Sequence, residues 1–210
     1  SALVDAEDLE GLMDALGIDQ AVLVGSSYGG FTALAMAVRA PSRVAAVVSV
    51  EAPMMRYAEM TAEGAKIVSA FKAASADPAR EAFLRGEDEL GLRILTGGIV
   101  GKPPEEVPEH IIERRMYNLR AARSLATSND EFPLLEPGQL GGLSMPIFLM
   151  SGAETAPIHE AIFQQVIAAM PQAKAKKIPR SGHSVSQQQA ELFNQEVLAF
   201  LSNKSLMQAA

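Results

Sequence analysis

A chain of 210 residues with 48% apolar and 20% charged content holds enough nonpolar material for one domain with a sizeable core. Its net charge of −7 argues against nucleic acid and anionic membranes as partners, because both reward Lys and Arg. The lack of cysteine excludes disulfides and thiolate sites; with no basic, apolar leader and no apolar run near the ~18 residues of a membrane span, a cytoplasmic protein is expected.

The first predicted element is a helix. Asp5 and Glu7-Asp8 place acidic groups at its start, Leu9, Leu12, Met13 and Leu16 recur at helical spacing, and Gly17 suits its C-terminal cap. Next, the apolar run Ala21–Val24 enters Gly25-Ser26-Ser27-Tyr28-Gly29 and leaves as an Ala-rich helical pattern through Ala37. That order predicts a strand, a sharp turn and a helix with Ser27 at the apex. A strained apex requires small neighbours, a role this spacing gives to Gly25 and Gly29, with Gly30, Ala33 and Ala37 permitting close helix packing. The turn exposes the Ser27 hydroxyl and sets the Tyr28 N–H at a helix N-terminus, where developing negative charge is stabilised.

Pro41 ends that helix, and Val44–Val50 is a continuous apolar run suited to a strand buried on both faces of a parallel sheet. Glu51 follows at its carboxyl end, the layer in which open α/β sheets gather their functional groups. The sheet pattern then lapses. Ile67, Phe71 and Ala74 form one helical stripe, and Asp77-Pro78 reads as a cap with proline at the first helical position. Gly97-Gly98 and Lys102-Pro103-Pro104 mark loops, and Ile112, Met116 and Leu119 form another stripe. Residues 54–142 are therefore expected to be a helical cap whose methionines and leucines roof the site. Arg114, Arg115, Arg120 and Arg123 read mainly as a solvated helix face, with a substrate carboxylate as the alternative ligand.

Pro146–Gly152 resumes the sheet, and a helix carries Ile158, Ile162, Val166 and Ala169 on one face. Ala173–Ile178 is the last short strand, followed by the loop Arg180–Ser184. Ser186 with Gln189 reads as a capping box for a final helix with Ala190, Phe193, Val197 and Phe200 on one face, and residues 204–210 as a frayed tail.

The elbow Gly25–Gly30 and the late Gly182-His183 resemble the α/β-hydrolase superfamily. The resemblance runs from Asp5 to about Asn203 and is weakest between Met54 and Gly142. It implies a mostly parallel sheet of the α/β-hydrolase type, with the core in residues 1–53 and 143–203, and a Ser–His–acid triad. A serine hydroxyl needs a neighbouring base. Of the three histidines, His183 has the position and the Gly-His context of the superfamily's base, whereas His110 and His159 read as surface residues. The position that usually carries the acid holds Thr155, which cannot bear the charge. Glu51 is the first candidate instead, since some hydrolases of this fold, including a group of haloalkane dehalogenases, place a glutamate at the end of the strand after the elbow helix. Glu154 is the alternative acid.

A serine nucleophile implies an acyl-enzyme, hence a small hydrophobic ester, thioester or lactone, with Tyr28 as one oxyanion donor. No cofactor is implied, and no histidine–carboxylate spacing points to a metal. The superfamily's earlier strands, and the His-Gly loop that supplies the second oxyanion donor, have no counterpart in this sequence. The elbow strand is therefore expected at a sheet edge covered by an N-terminal half or by a second copy in a homo-oligomer. The alternative functional reading is a non-catalytic relative, or a fragment, that binds a small ligand or a partner chain.

Overall fold

The computed structural model describes residues 1–130 and 132–202. Four strands, β1 (Ala21–Ser26), β2 (Val44–Val50), β3 (Ile147–Gly152) and β4 (Lys174–Ile178), form one all-parallel sheet in the order β1-β2-β3-β4. The β-branched run of β2 and the apolar run of β3 fill the centre, where a strand is covered on both sides. Helices α1 (Ala2–Ala15) and α2 (Tyr28–Arg39) flank the elbow strand. Among the described residues between β2 and β3 lie seven α-helices: α3 (Met55–Ala58), α4 (Ala62–Phe71), α5 (Asp77–Leu84), α6 (Asp88–Val100), α7 (Glu109–Met116), α8 (Leu119–Thr127) and α9 (Pro137–Gly141). Helix α10 (Pro157–Ala169) follows β3, and α11 (Val185–Gln188) and α12 (Ala190–Leu201) follow β4.

The sheet has two covered faces. Val47, Ile147 and Leu149 pack in one core with Phe31 and Leu34 of α2 and Ile162 and Val166 of α10. Val48, Val50, Phe148 and Met150 face the other way, onto Val185 and Val197. That second cover stops short of β1. Val24 is in register with Val48, yet it is 50% exposed, and Val22 beside it is 45% exposed. The elbow strand is thus an edge strand, and one face of it meets solvent.

Several local expectations are corrected by packing. Leu12 and Leu16 of α1 are exposed, and its buried contacts come from Ala2, Ala6 and Met13. Asp77 and Pro78 begin α5 as expected, but Ala76 rather than Asp77 stands at its cap, and α4 runs into α5 through a π-helical stretch, Lys72–Ala76. The wider turn accommodates Pro78, which lacks an N–H and would crowd the preceding α-turn. Gly97 and Gly98 lie inside α6 rather than in a loop, because the Ser75 side chain presses against that helix where any Cβ on Gly98 would sit. Met116 is exposed, so the stripe of α7 reduces to Ile112. Ser186 lies within α11, and no capping box starts α12. The sequence reading of a tail at 204–210 falls outside the described residues. Among the described residues, no helix is long and apolar enough to cross a membrane.

Candidate active site

The parallel sheet brings four loops to one edge. Ser27 follows β1, Glu51 follows β2, Thr155 lies just beyond β3, and Gly182-His183 follow β4. Ser27 has φ +54° and ψ −124°, a left-handed conformation that non-glycine residues adopt only when the surroundings impose it. Its N–H donates to the Val50 carbonyl at 2.7 Å, and its carbonyl accepts from Gly30 and Phe31 as α2 begins. The room for this turn comes from Gly25, where a Cβ would stand 2.2 Å from the Gly29 carbonyl oxygen, and from Gly30, packed on Ser49 Oγ. Gly29, also expected to supply room, is not needed for it: a Cβ there would enter open space, with nothing within 4 Å.

Glu51 is the best-held side chain of the site. Its backbone is also left-handed, φ +47°, and its side chain is fully buried. Oε1 accepts from Ser151 Oγ and the Gly152 N–H, both at 2.8 Å. Oε2 accepts from Thr155 Oγ1 at 2.9 Å and from His183 Nδ1 at 2.7 Å. The four bonds fill a carboxylate's accepting capacity. Burial alone would raise its pKa, but the bond from His183, the nearby imidazoles and the Gly152 N–H outweigh it and hold Glu51 at about 2. An ionised carboxylate only accepts, so His183 Nδ1 carries the proton and, in the neutral ring, Nε2 keeps a bare lone pair.

Thr155 therefore does not carry the acid; it donates to the residue that does the accepting. Glu154 is exposed, its N–H held by the Ser181 carbonyl, and it does not join the cluster. Gly152 allows the end of β3 to touch the loop that carries His183, since a Cβ would lie 2.3 Å from the Ser181 and Gly182 carbonyl oxygens.

His110 is exposed, as expected. His159, read from sequence as a surface residue, is buried and stacks on His183 with ring centroids 4.2 Å apart and planes inclined by 22°. Its place in the first turn of a helix after β3 was visible in the sequence, but its neighbour across the sheet edge was not. Glu51, His159 and His183 bring three potential metal-ligating atoms within 4.8 Å of one another, a cluster that residue spacing does not reveal. The donor set fits a metal poorly. Imidazole lone pairs lie in the ring planes, and the stack keeps those planes nearly parallel and offset, which does not aim both rings at one ion, while Glu51 already accepts four hydrogen bonds.

Ser27 and His159 line an apolar cavity of about 100 Å³ bordered by Leu95 and Ile99 of α6, Leu125 of α8 and Phe132 from the segment that follows α8. Tyr28 and Leu125 separate it from a wider cleft of about 600 Å³ that contains Arg114 and Arg115. The four arginines of α7 and α8 have different fates. Arg123 pairs with Asp88 at 2.8 Å, Arg114 reaches Gln187, and Arg120 is exposed. Arg115 is half-buried, and its guanidinium has no hydrogen-bonding or acidic partner among the described residues. Burial, then repulsion from Arg114, lowers its pKa.

Curated relatives cover nearly all of this chain. A 2-hydroxy-6-oxo-6-phenylhexa-2,4-dienoate hydrolase of Burkholderia cepacia is 29% identical over 96% of the chain and 69% of its own length. The carboxylesterase YbfK of Bacillus subtilis is 27% identical over 93% of the chain and 62% of its own length. The crystal structure of that carboxylesterase superposes with a TM-score of 0.63 at 23% identity, over 94% of this chain and 65% of that one, a likeness of fold. The chain thus spans between 62% and 69% of the length of these relatives. The sequence pattern of the alpha/beta hydrolase family matches residues 1–196, and with the parallel sheet and the elbow in place this chain belongs to that family.

Proposed function

We propose that this chain carries the catalytic residues of a serine hydrolase, with Ser27 as nucleophile, His183 as base and Glu51 as the acid that orients it. The observation that carries the reading is the His183–Glu51 pair. A buried carboxylate held ionised fixes the imidazole with Nε2 free to accept a proton, at the sheet edge where Ser27 is held in a strained turn. In the reaction, Ser27 Oγ attacks the substrate carbonyl carbon while its proton passes to His183 Nε2. The oxyanion develops at the N-terminal end of α2, beside the Tyr28 N–H. Collapse breaks the bond to the leaving alcohol, which takes the proton from Nε2 and leaves an acyl group on Ser27. Water, deprotonated by the same nitrogen, then releases the acid.

The substrate we infer has a short apolar acyl part for the 100 Å³ cavity and a carboxylate for Arg115 in the adjoining cleft. A half-buried guanidinium with no partner among the described residues gains most from an anion that supplies two parallel acceptors. The Burkholderia cepacia relative, whose named substrate is a dienoate, supports a carboxylate-bearing carbonyl compound, and the carboxylesterase YbfK supports an ester. Labelling with a fluorophosphonate tests the core of the reading. The adduct is expected at Ser27 by peptide mass spectrometry and absent from Ser27→Ala. A folded protein that takes no label at Ser27 refutes it in favour of a non-catalytic, ligand-binding relative.

A further inference from the structure

His159 belongs to no part of the triad, yet it touches it. Its ring lies face to face against His183, and its Nε2 is 3.0 Å from the Ile99 carbonyl oxygen. A carbonyl only accepts, so Nε2 bears the proton, and in the neutral ring Nδ1 is a bare acceptor. That Nδ1 is buried with no partner among the described residues. An orphaned acceptor is an uncompensated cost that a phenylalanine of similar shape would avoid. What histidine adds here is the bond to Ile99. Ile99 sits in the last turn of α6, where helix carbonyls lack intrahelical partners, and its side chain helps roof the cavity above Ser27.

We propose that His159 is a positioning residue that clamps the His183 imidazole from one face and ties that clamp, through the Ile99 carbonyl, to the helix that closes the cavity. The inference rests on the reading of His183 as the base. Glu51 grips the His183 ring at Nδ1, which fixes one edge but leaves rotation about that bond open. The stacked His159 ring removes this freedom, and it does so from α10, a different element from the one that carries His183. The charges around the pair fit such a role. Burial first, then the neighbouring His183, depresses the His159 pKa to about 4, and the first turn of a 13-residue helix further disfavours a cation. Of the ionisable groups against it, Glu51 comes from β2 and His183 from the loop after β4, while α6 presents only a backbone carbonyl. His159 therefore stays neutral while His183 takes the serine proton; a second cation stacked 4.2 Å away would oppose that transfer.

The test compares His159→Ala, which removes stack and tether, with His159→Phe, which keeps a stacked ring and loses only the tether. The first readout is the His183 Nδ1 proton, followed by proton NMR at low temperature as a downfield, slowly exchanging signal. The second is turnover of p-nitrophenyl butyrate. In His159→Ala the downfield signal is expected to broaden or vanish, with kcat falling about 10–100-fold, the scale of misplacing a catalytic group by ~1 Å. In His159→Phe the signal persists and KM rises several-fold, on the order expected when a substrate-closing element loses an anchor. If folded His159→Ala keeps both the signal and the parent kcat, the ring only fills space and the proposal is overturned. Should the parent itself show no such proton, and His183→Asn keep full activity, the triad reading fails instead, a distinct outcome.

Discussion

Glu51 and His183 are 132 residues apart in the chain and 2.7 Å apart in space, with Oε2 of the first accepting from Nδ1 of the second. The pair joins the ends of β2 and β4 across the intervening strand β3, whose own end supplies Ser151, Gly152 and Thr155 to the same carboxylate. The acid proposed at the end of β2 is thus supported by Thr155, the position that in the superfamily usually carries the acid.

This arrangement makes Glu51→Gln the decisive substitution. In protein that hydrolyses an ester, it is expected to lower kcat by about 10³–10⁴, the loss that follows when the triad acid no longer fixes the imidazole tautomer. Glu154→Gln, on an exposed residue outside the cluster, should change kcat less than about twofold, as surface substitutions generally do. Steady-state kinetics of both variants decide between the carboxylates, and the reverse ranking assigns the role to Glu154.

Arg115 should set selectivity rather than chemistry. Arg115→Gln is expected to weaken turnover of a mono-p-nitrophenyl glutarate about 10–100-fold in kcat/KM, the loss of a charge-assisted pair, while leaving the uncharged butyrate ester nearly unaffected. Equal losses on both esters would show that Arg115 only supports the packing of the helices around it.

The elbow glycines should differ sharply. Gly25→Ala drives a Cβ into the Gly29 carbonyl and is expected to cost several kcal/mol, on the order of severe overpacking. Gly29→Ala enters open space in the first turn of α2 and is expected to stabilise by up to ~1 kcal/mol through helix propensity. Urea denaturation of the two variants measures the contrast.

Stability should fall on the acid side in two stages. His159 titrates near 6.5 when unfolded and near 4 when folded, so the unfolded chain binds the extra proton between those values. The stability held above pH 6.5 is then lost as pH falls to 4, by about 3 kcal/mol from this group. Glu51, depressed from 4.5 to about 2, adds a further loss between those values, because its protonation breaks the His183 bond. Denaturation curves from pH 8 to pH 4 should show the first stage, and His159→Phe should flatten it. A slope unchanged in that variant would place the titrating group elsewhere.

The exposed edge at β1 is proposed to associate. Val22 and Val24 present an apolar, uncharged surface beside unpaired strand backbone, which favours pairing with another strand. Light scattering is expected to show mass rising with concentration, and Val24→Lys to suppress it. A monomer at all concentrations would show the edge to be inert.

The sequence by itself determined the elements whose physics is local. Gly25-x-Ser27-x-Gly29 between an apolar run and an Ala-rich helix encodes the elbow, and the uninterrupted run Val44–Val50 encodes a strand buried on both faces. For the proposed acid the sequence offered two glutamates through its resemblance to the superfamily, Glu51 at a strand end ahead of Glu154, because Thr155 at the usual position cannot hold charge. Only the tertiary structure decided what depends on neighbours distant in the chain. Gly97-Gly98 breaks a helix by propensity, but the close approach of Ser75 makes glycine the residue that fits within α6. Arg115 looks like Arg114 and Arg120 in sequence, and differs because the fold half-buries it without a partner among the described residues. His159 shows one imidazole at the start of a helix; that it lies against a second, from a loop 24 residues on, follows from the order in which parallel strands align their carboxyl ends. Stacking and burial are properties of the packed sheet edge, and no local pattern of residues contains them.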